Sequence, residues 1–293
     1  MGRTPISSIG VFVALLIIPG RTGAQDVAWP RGDRLTVDVQ LDTAILDAAS
    51  LLLDIRYTIA NHRASEQSAN ILQVEARVPV VEIRVPARQW VHVAGDSVAF
   101  WGSASRQQDI APGASRSGFE IRARGLPGIV RFWVEGYFAV PTMSEADAER
   151  LGPQPRVEDN SFAGLTVGVV LVEDLTVGGL LSRLRGLEAQ ACTLGWITNR
   201  GVCHSLAKKL DHAARALARG RPDEAKRRLK SFLRELAAQH RARPDEQEEE
   251  EEEEHEGQHH EREAEPERER GKHVTDNAFW LLKINAEYLL SRL

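Results

Sequence analysis

Two amphipathic helices joined by a Gly-Arg-Pro turn, lying between Gly195 and His240, constrain this chain more than any other stretch. In the first, Leu206, Leu210, Ala213 and Leu217 recur at helical spacing while Lys208, Lys209, Asp211, His212 and Arg215 take the other side. In the second, Ala225, Leu229, Phe232, Leu233 and Leu236 form the stripe. Pro222, Asp223 and Glu224 suit its first turn, where no amide donor is needed and negative charge is favoured. Each helix has one apolar face to bury, so the pair implies a helical bundle. The periodicity predicts helices over 175–191, 200–218, 222–240 and 275–290, the last capped by Thr275 with Val274 as a hydrophobic staple.

Upstream the texture changes. LTVDVQLD sets Leu35, Val37, Val39 and Leu41 on one face and Thr36, Asp38, Gln40 and Asp42 on the other, which is strand periodicity. LLLDIRYTIAN, ILQVEARV, VVEIRVP, DSVAFWG, SGFEIRA and GIVRFWVEGYFAV follow, separated by Gly, Pro and Ser clusters with no helical pattern between them. That succession predicts an antiparallel β-sandwich. The fold class expected is therefore multidomain β plus α, an antiparallel β-sandwich followed by a small four-helix bundle. A sandwich domain is expected over 25–140, a linker or long loop over 141–174, and the helical module over 175–293 with an acidic insertion at 241–272.

The first residues carry Arg3, an apolar run from Ile9 to Ile18, a Pro-Gly break and Thr22-Gly23-Ala24. This reads as a signal peptide over 1–24, because the run is well short of the roughly 20 residues of a spanning helix. The expectation is a secreted protein, extracellular or periplasmic, with no stable membrane insertion after cleavage. Cys192 and Cys203, eleven positions apart, then suggest a disulfide; two free thiols, or a metal pair with the adjacent His204, are the other readings.

The helical stretch resembles the FIMAH domain, a small module attached to secreted bacterial proteins. The resemblance is carried by Gly195, Ile197, Asn199 and Gly201, by Ser205, Leu206, Lys208, Lys209, Leu210 and Ala213, and by Leu217, Gly220, Ala225, Leu229, Phe232 and Leu233. Ala278, Leu281, Leu282 and Leu289 supply a closing helix. Asn285 departs from it, standing where a small apolar residue is expected. The resemblance implies a non-catalytic accessory module and brings no activity with it. In the β-region, DIAPGASRSGFEIRARGLPGIV resembles a motif of uncharacterised secreted bacterial β-proteins.

Charge is segregated. Between Pro244 and Arg270 stand fifteen acidic and three basic residues, a net of −12 in a chain of net −5. With almost no apolar side chains, this tract is expected to stay disordered. Within it, His255-Glu256-Gly257-Gln258-His259 spells HExxH, but glycine interrupts it and no apolar face accompanies it, so it reads as a chance match in a biased tract. His255, His259 and His260 remain candidates for loose divalent-cation binding only; no metal site or cofactor is expected. Residues 175–240 carry thirteen Lys and Arg against five Asp and Glu. No nucleic-acid motif accompanies them, and an anionic polymer, an acidic glycan or the chain's own acidic tract is the expected counterpart.

No nucleophile elbow, phosphate loop or Cys-His pair is present, and no catalytic residue is assigned. Arg31-Gly32-Asp33 reads as a polar turn into the first strand, and His62 and His92 as surface residues. Trp90, Trp101 and Trp133 form a candidate ligand face, with the sandwich core as the competing reading. The expected function is non-catalytic recognition or scaffolding of an extracellular glycan or protein; the alternative is a secreted hydrolase with a site in the β-domain.

Overall fold

A computed structural model of the chain describes residues 29–95, 98–137, 149–151, 153, 155–241 and 273–293. The signal-peptide reading and the acidic tract with His255, His259 and His260 lie outside the described residues.

Among the described residues, nine strands form two antiparallel sheets. The smaller has the order β1-β2-β7-β4, and comprises β1 (Val37–Asp47), β2 (Leu52–Asn61), β7 (Ser115–Arg124) and β4 (Val80–Arg84). The larger has the order β5-β6-β3-β8-β9, from β5 (Trp90–Ala94), β6 (Val98–Ser103), β3 (Ala69–Glu75), β8 (Leu126–Gly136) and β9 (Phe162–Val170). Val37, Val39 and Leu41 turn inward as their alternation requires, and Tyr57, Ile59, Leu72, Val74, Phe119 and Ile121 meet them in the core. Tyr57 is fully enclosed and donates its hydroxyl to the Val167 carbonyl at 2.8 Å, tying one sheet to the other.

One expectation needs correction. The segment 141–174, read as linker or long loop, contributes β9, which pairs with β8 from Leu126↔Val170 to Val134↔Phe162. The physical reason is burial on both sides. Thr166 through Val170 are all buried, so the strand shows a continuous apolar run instead of alternation.

Four helices follow: α1 (Val177–Thr193), α2 (Arg200–Ala218), α3 (Pro222–Arg241) and α4 (Asp276–Arg292). They pack in a ring in which α1 touches α2 and α4, and α3 touches α2 and α4. The α2–α3 turn is closed by Gly220 at φ +70°, with the Arg221 amide donating to the Ala216 carbonyl at 2.9 Å. A disulfide joins Cys192 at the end of α1 to Cys203 in the first turn of α2. Inside that loop Ile197 forms a bridge with Val274, and the Thr275 amide donates to the Trp196 carbonyl at 2.9 Å. The link fixes the start of α4. Thr275 caps it by accepting from the Ala278 amide, and Val274 beside it is buried.

The last helix is apolar nearly all round, and for good reason: it is enclosed between α1 and α3 on one side and β1, β8 and β9 on the other. Two buried asparagines anchor it. Asn277 accepts from the Leu41 amide at 2.8 Å and donates to the Val39 carbonyl at 3.3 Å, serving as partner to the free edge of β1. Asn285, two turns on, donates to the Pro127 carbonyl of β8 at 3.0 Å and to Leu281 of its own helix at 2.8 Å. Arg183 of α1 completes the joint, donating to Asn285 Oδ1 at 3.2 Å and to Pro127 at 2.7 Å. Sandwich and helices thus share a single core. Among the described residues, no helix is long and apolar enough to cross a membrane.

Candidate functional site

The three tryptophans separate. Trp90 and Trp101 are only 3% and 0% exposed, and they belong to an edge-to-face cluster with Tyr57 and Phe119 between the sheets. Neither can meet a ligand, and their place in the candidate face is withdrawn. The indole of Trp101 donates to the Arg84 carbonyl at 2.9 Å, whereas that of Trp90 has no partner among the described residues. Trp133 points the other way, onto the outer surface of the five-stranded sheet, where it is half-buried.

Strand register defines what stands beside it. Directly opposed residues of an antiparallel pair share a face, and Val93↔Phe100, Phe100↔Gln73, Gln73↔Trp133 and Trp133↔Ala163 make one row across five strands. The rings of Phe100 and Trp133 spring from positions two strands apart, about 10 Å at ordinary strand spacing. A Cβ at Gly102 would stand 3.3 Å from the Phe100 ring and 3.5 Å from Val91, so the ring lies across the glycine and flattens this part of the surface. Exposed Val91, Val93 and Leu165 extend the apolar ground at both edges, with exposures of 54%, 43% and 41%.

A polar pair interrupts the row at its centre. Gln73 donates through Nε2 to Glu158 at 2.7 Å, from a 3₁₀ turn at Val157–Asp159 that rests against β8. An acidic acceptor therefore stands at the middle of the row, between the Phe100 and Trp133 positions. Beneath the same turn lies Glu135, buried and donated to by Asn160 at 3.2 Å. Burial pushes its carboxyl up to about 7, against the Asn160 hydrogen bond. Glu135 Cγ would be only 2.4 Å from a Cβ at Gly32, so the carboxyl is sealed under the Arg31-Gly32-Asp33 turn. Arg31 and Asp33 pair with each other at 2.9 Å, and this tripeptide is a closed turn. His62 is exposed and bonded to Asp38 at 2.9 Å, and His92 is exposed on β5.

A second buried acid sits in the helices. Glu188 Oε1 is 3.4 Å from Cys192 Sγ, and burial, reinforced by the charge of Asp211, raises its carboxyl to about 7. Glu188, Cys192 and Cys203 converge within 4.8 Å, but both sulfurs are spent in the disulfide and no thiolate is left for a metal.

Sequence reasoning named Trp133 and missed Phe100, Gln73 and Glu158. The signal for Phe100 was partial: neighbours on a strand face opposite ways, so Phe100 faces outward once Trp101 is known to be buried. Glu158 had no such signal, because a loop residue reaches the sheet only through the fold.

Among curated proteins no match to this chain was found. The helices after the sandwich are a different matter: residues 181–251, from within α1 through α2 and α3, match the family model of the FIMAH domain.

Proposed function

We propose that this is a non-catalytic recognition protein that binds glycan on the outer face of its five-stranded sheet and works outside the reducing cytoplasm. The observation that carries the reading is the Phe100–Gln73/Glu158–Trp133 row. Sugar rings present apolar C–H faces that stack on aromatic side chains, and hydroxyls that need acceptors held in place. Two half-buried aromatic side chains with an anchored carboxyl between their positions offer both. The Cys192–Cys203 disulfide supports the oxidising compartment. Glu135, the buried acid beside this face, is closed over by Gly32 and Asn160, which favours binding over hydrolysis.

The test is a pull-down of the purified protein on a panel of insoluble neutral polysaccharides, with the supernatant assayed for released sugars. Retention without soluble product is the expected result. Soluble product would overturn the non-catalytic reading, and passage through the whole panel unretained would overturn the glycan.

A further inference from the structure

A second surface, on the helices, goes beyond the sheet-face reading and shares no residue with it. Along α3, Arg227, Lys230, Arg234 and Arg241 are all exposed. At 1.5 Å and 100° per residue, Arg227, Arg234 and Arg241 rise about 10 Å apart and stay within about 40° of one line, with Lys230 just beside it. The stripe is about 21 Å long. Of the acidic side chains on α3, Glu224 pairs with Arg221 and Glu235 with Lys209, while Asp223 stands in the first turn, one turn before Arg227. Among the described residues, none of the four stripe cations has an ion-pair partner, a state that costs nothing in water but leaves a strong attraction for anions.

Beside the stripe, α3 and α4 enclose a groove of about 550 Å³. Arg234 and Arg241 stand on one wall, Phe279 and Lys283 on the other, and Leu233 and Ala237 supply apolar floor. Phe279 is held by stacking on His240, with ring centres 4.0 Å apart and planes within 9°. Lys283 pairs at 3.1 Å with Glu287, the one acidic side chain at the groove among the described residues. Guanidinium groups take carboxylates in paired hydrogen bonds, and an aromatic ring beside them takes the apolar face of a sugar. Their repeat along α3 also suits a chain whose anions recur at regular short intervals.

We infer that this groove and stripe bind a linear acidic polysaccharide, one whose sugar units carry carboxylates. Neutral glycan on the sheet and polyuronate on the helices would then be two separate attachments of one protein.

The experiment is affinity electrophoresis of the full chain in gels containing polygalacturonate, neutral dextran or polyglutamate, at low and high salt. An Arg234→Gln/Arg241→Gln variant is compared with Arg88→Gln/Arg200→Gln, which removes the same charge from exposed positions elsewhere. Circular dichroism checks that both fold. The inference expects retention by polygalacturonate that salt abolishes, roughly tenfold weaker in the groove variant and within about twofold of wild type in the control. Equal loss in both variants would reduce the effect to net charge and overturn the site. So would a wild-type protein that polygalacturonate does not retard. Polyglutamate retarding the chain as strongly would assign the groove to an acidic polypeptide and overturn the polysaccharide. Loss of neutral-glycan binding in a Trp133 variant leaves these readouts untouched, so the two readings fail separately.

Discussion

Asn285 Nδ2 lies 3.0 Å from the Pro127 carbonyl oxygen, and this contact between α4 and β8 joins the two halves of the molecule. The position departs from the small apolar residue that the resemblance to the FIMAH domain leads one to expect, and the departure has a structural cause. A small apolar side chain would suit a helix packed only against helices. Here α4 also lies on a sheet, whose Pro127 carbonyl needs donors, and Asn285 and Arg183 supply them.

Asn285→Ala should therefore lower unfolding free energy by about 1–2 kcal/mol, because it takes one of two donors from the Pro127 carbonyl and the acceptor from Arg183 Nε. Asn277→Ala, which leaves the buried Leu41 amide without an acceptor while the Val39 carbonyl keeps the Thr166 hydroxyl, should cost about 1–3 kcal/mol. Urea unfolding followed by circular dichroism measures both. The two-body view of the sequence, sandwich then module, predicts separate transitions; the shared core predicts one, which either variant shifts as a whole.

The buried tryptophans give a paired comparison. Trp101→Phe leaves the Arg84 carbonyl without its donor, while Trp90→Phe removes an indole N–H that has no acceptor. Both lose similar volume from the same cluster, so Trp101→Phe should be the more destabilising by about 1 kcal/mol.

How legible was this in the sequence? Strands β1, β2 and β7 and helices α1, α2 and α3 announce themselves through period, since each shows one face to the core and one to solvent, whereas α4, apolar nearly all round, is marked by its Thr275 cap. β9 does not, because Thr166 to Val170 are buried on both sides and glycines at 164 and 168 thin the signal further. β5 is five residues long and only Trp90 of it is buried, so the segment carries too little pattern to register. The site failed in part for a related reason. Alternation separates Trp101 from Phe100, but which of the two is inside depends on what the other sheet covers, and that is a matter of tertiary packing.

Glu135 and Glu188 make stability depend on pH. Each carboxyl is raised from an ordinary 4.5 to about 7 in the folded chain. Between those values the folded state holds protons that the unfolded state has released, so stability is greatest near or below pH 4.5 as far as these groups go, and falls as pH rises toward 7. Above that it levels off. A Glu135→Gln/Glu188→Gln variant should lose this decline and melt higher than wild type at mildly alkaline pH. Thermal midpoints across the range decide it, and an unchanged slope would contradict the assignment.

The Cys192–Cys203 bridge closes a short loop that also holds the start of α4 through Trp196, Ile197 and Val274. Cys192→Ser/Cys203→Ser should cost about 2–3 kcal/mol. Hydrogen exchange should show the largest loss of protection in amides at the beginning of α2 and α4, beyond the uniform drop that the shared core carries to the sandwich strands.

The most direct test of glycan recognition is affinity electrophoresis through neutral polysaccharides, comparing wild type with Trp133→Ala and Phe100→Ala. Both side chains are half-buried on the outer face and neither is in the inter-sheet cluster, so both variants should fold. The account predicts that at least one polysaccharide retards the wild type and that each variant binds it about tenfold more weakly or worse. Retardation undiminished in both variants, or absent from the wild type in every gel, would contradict it.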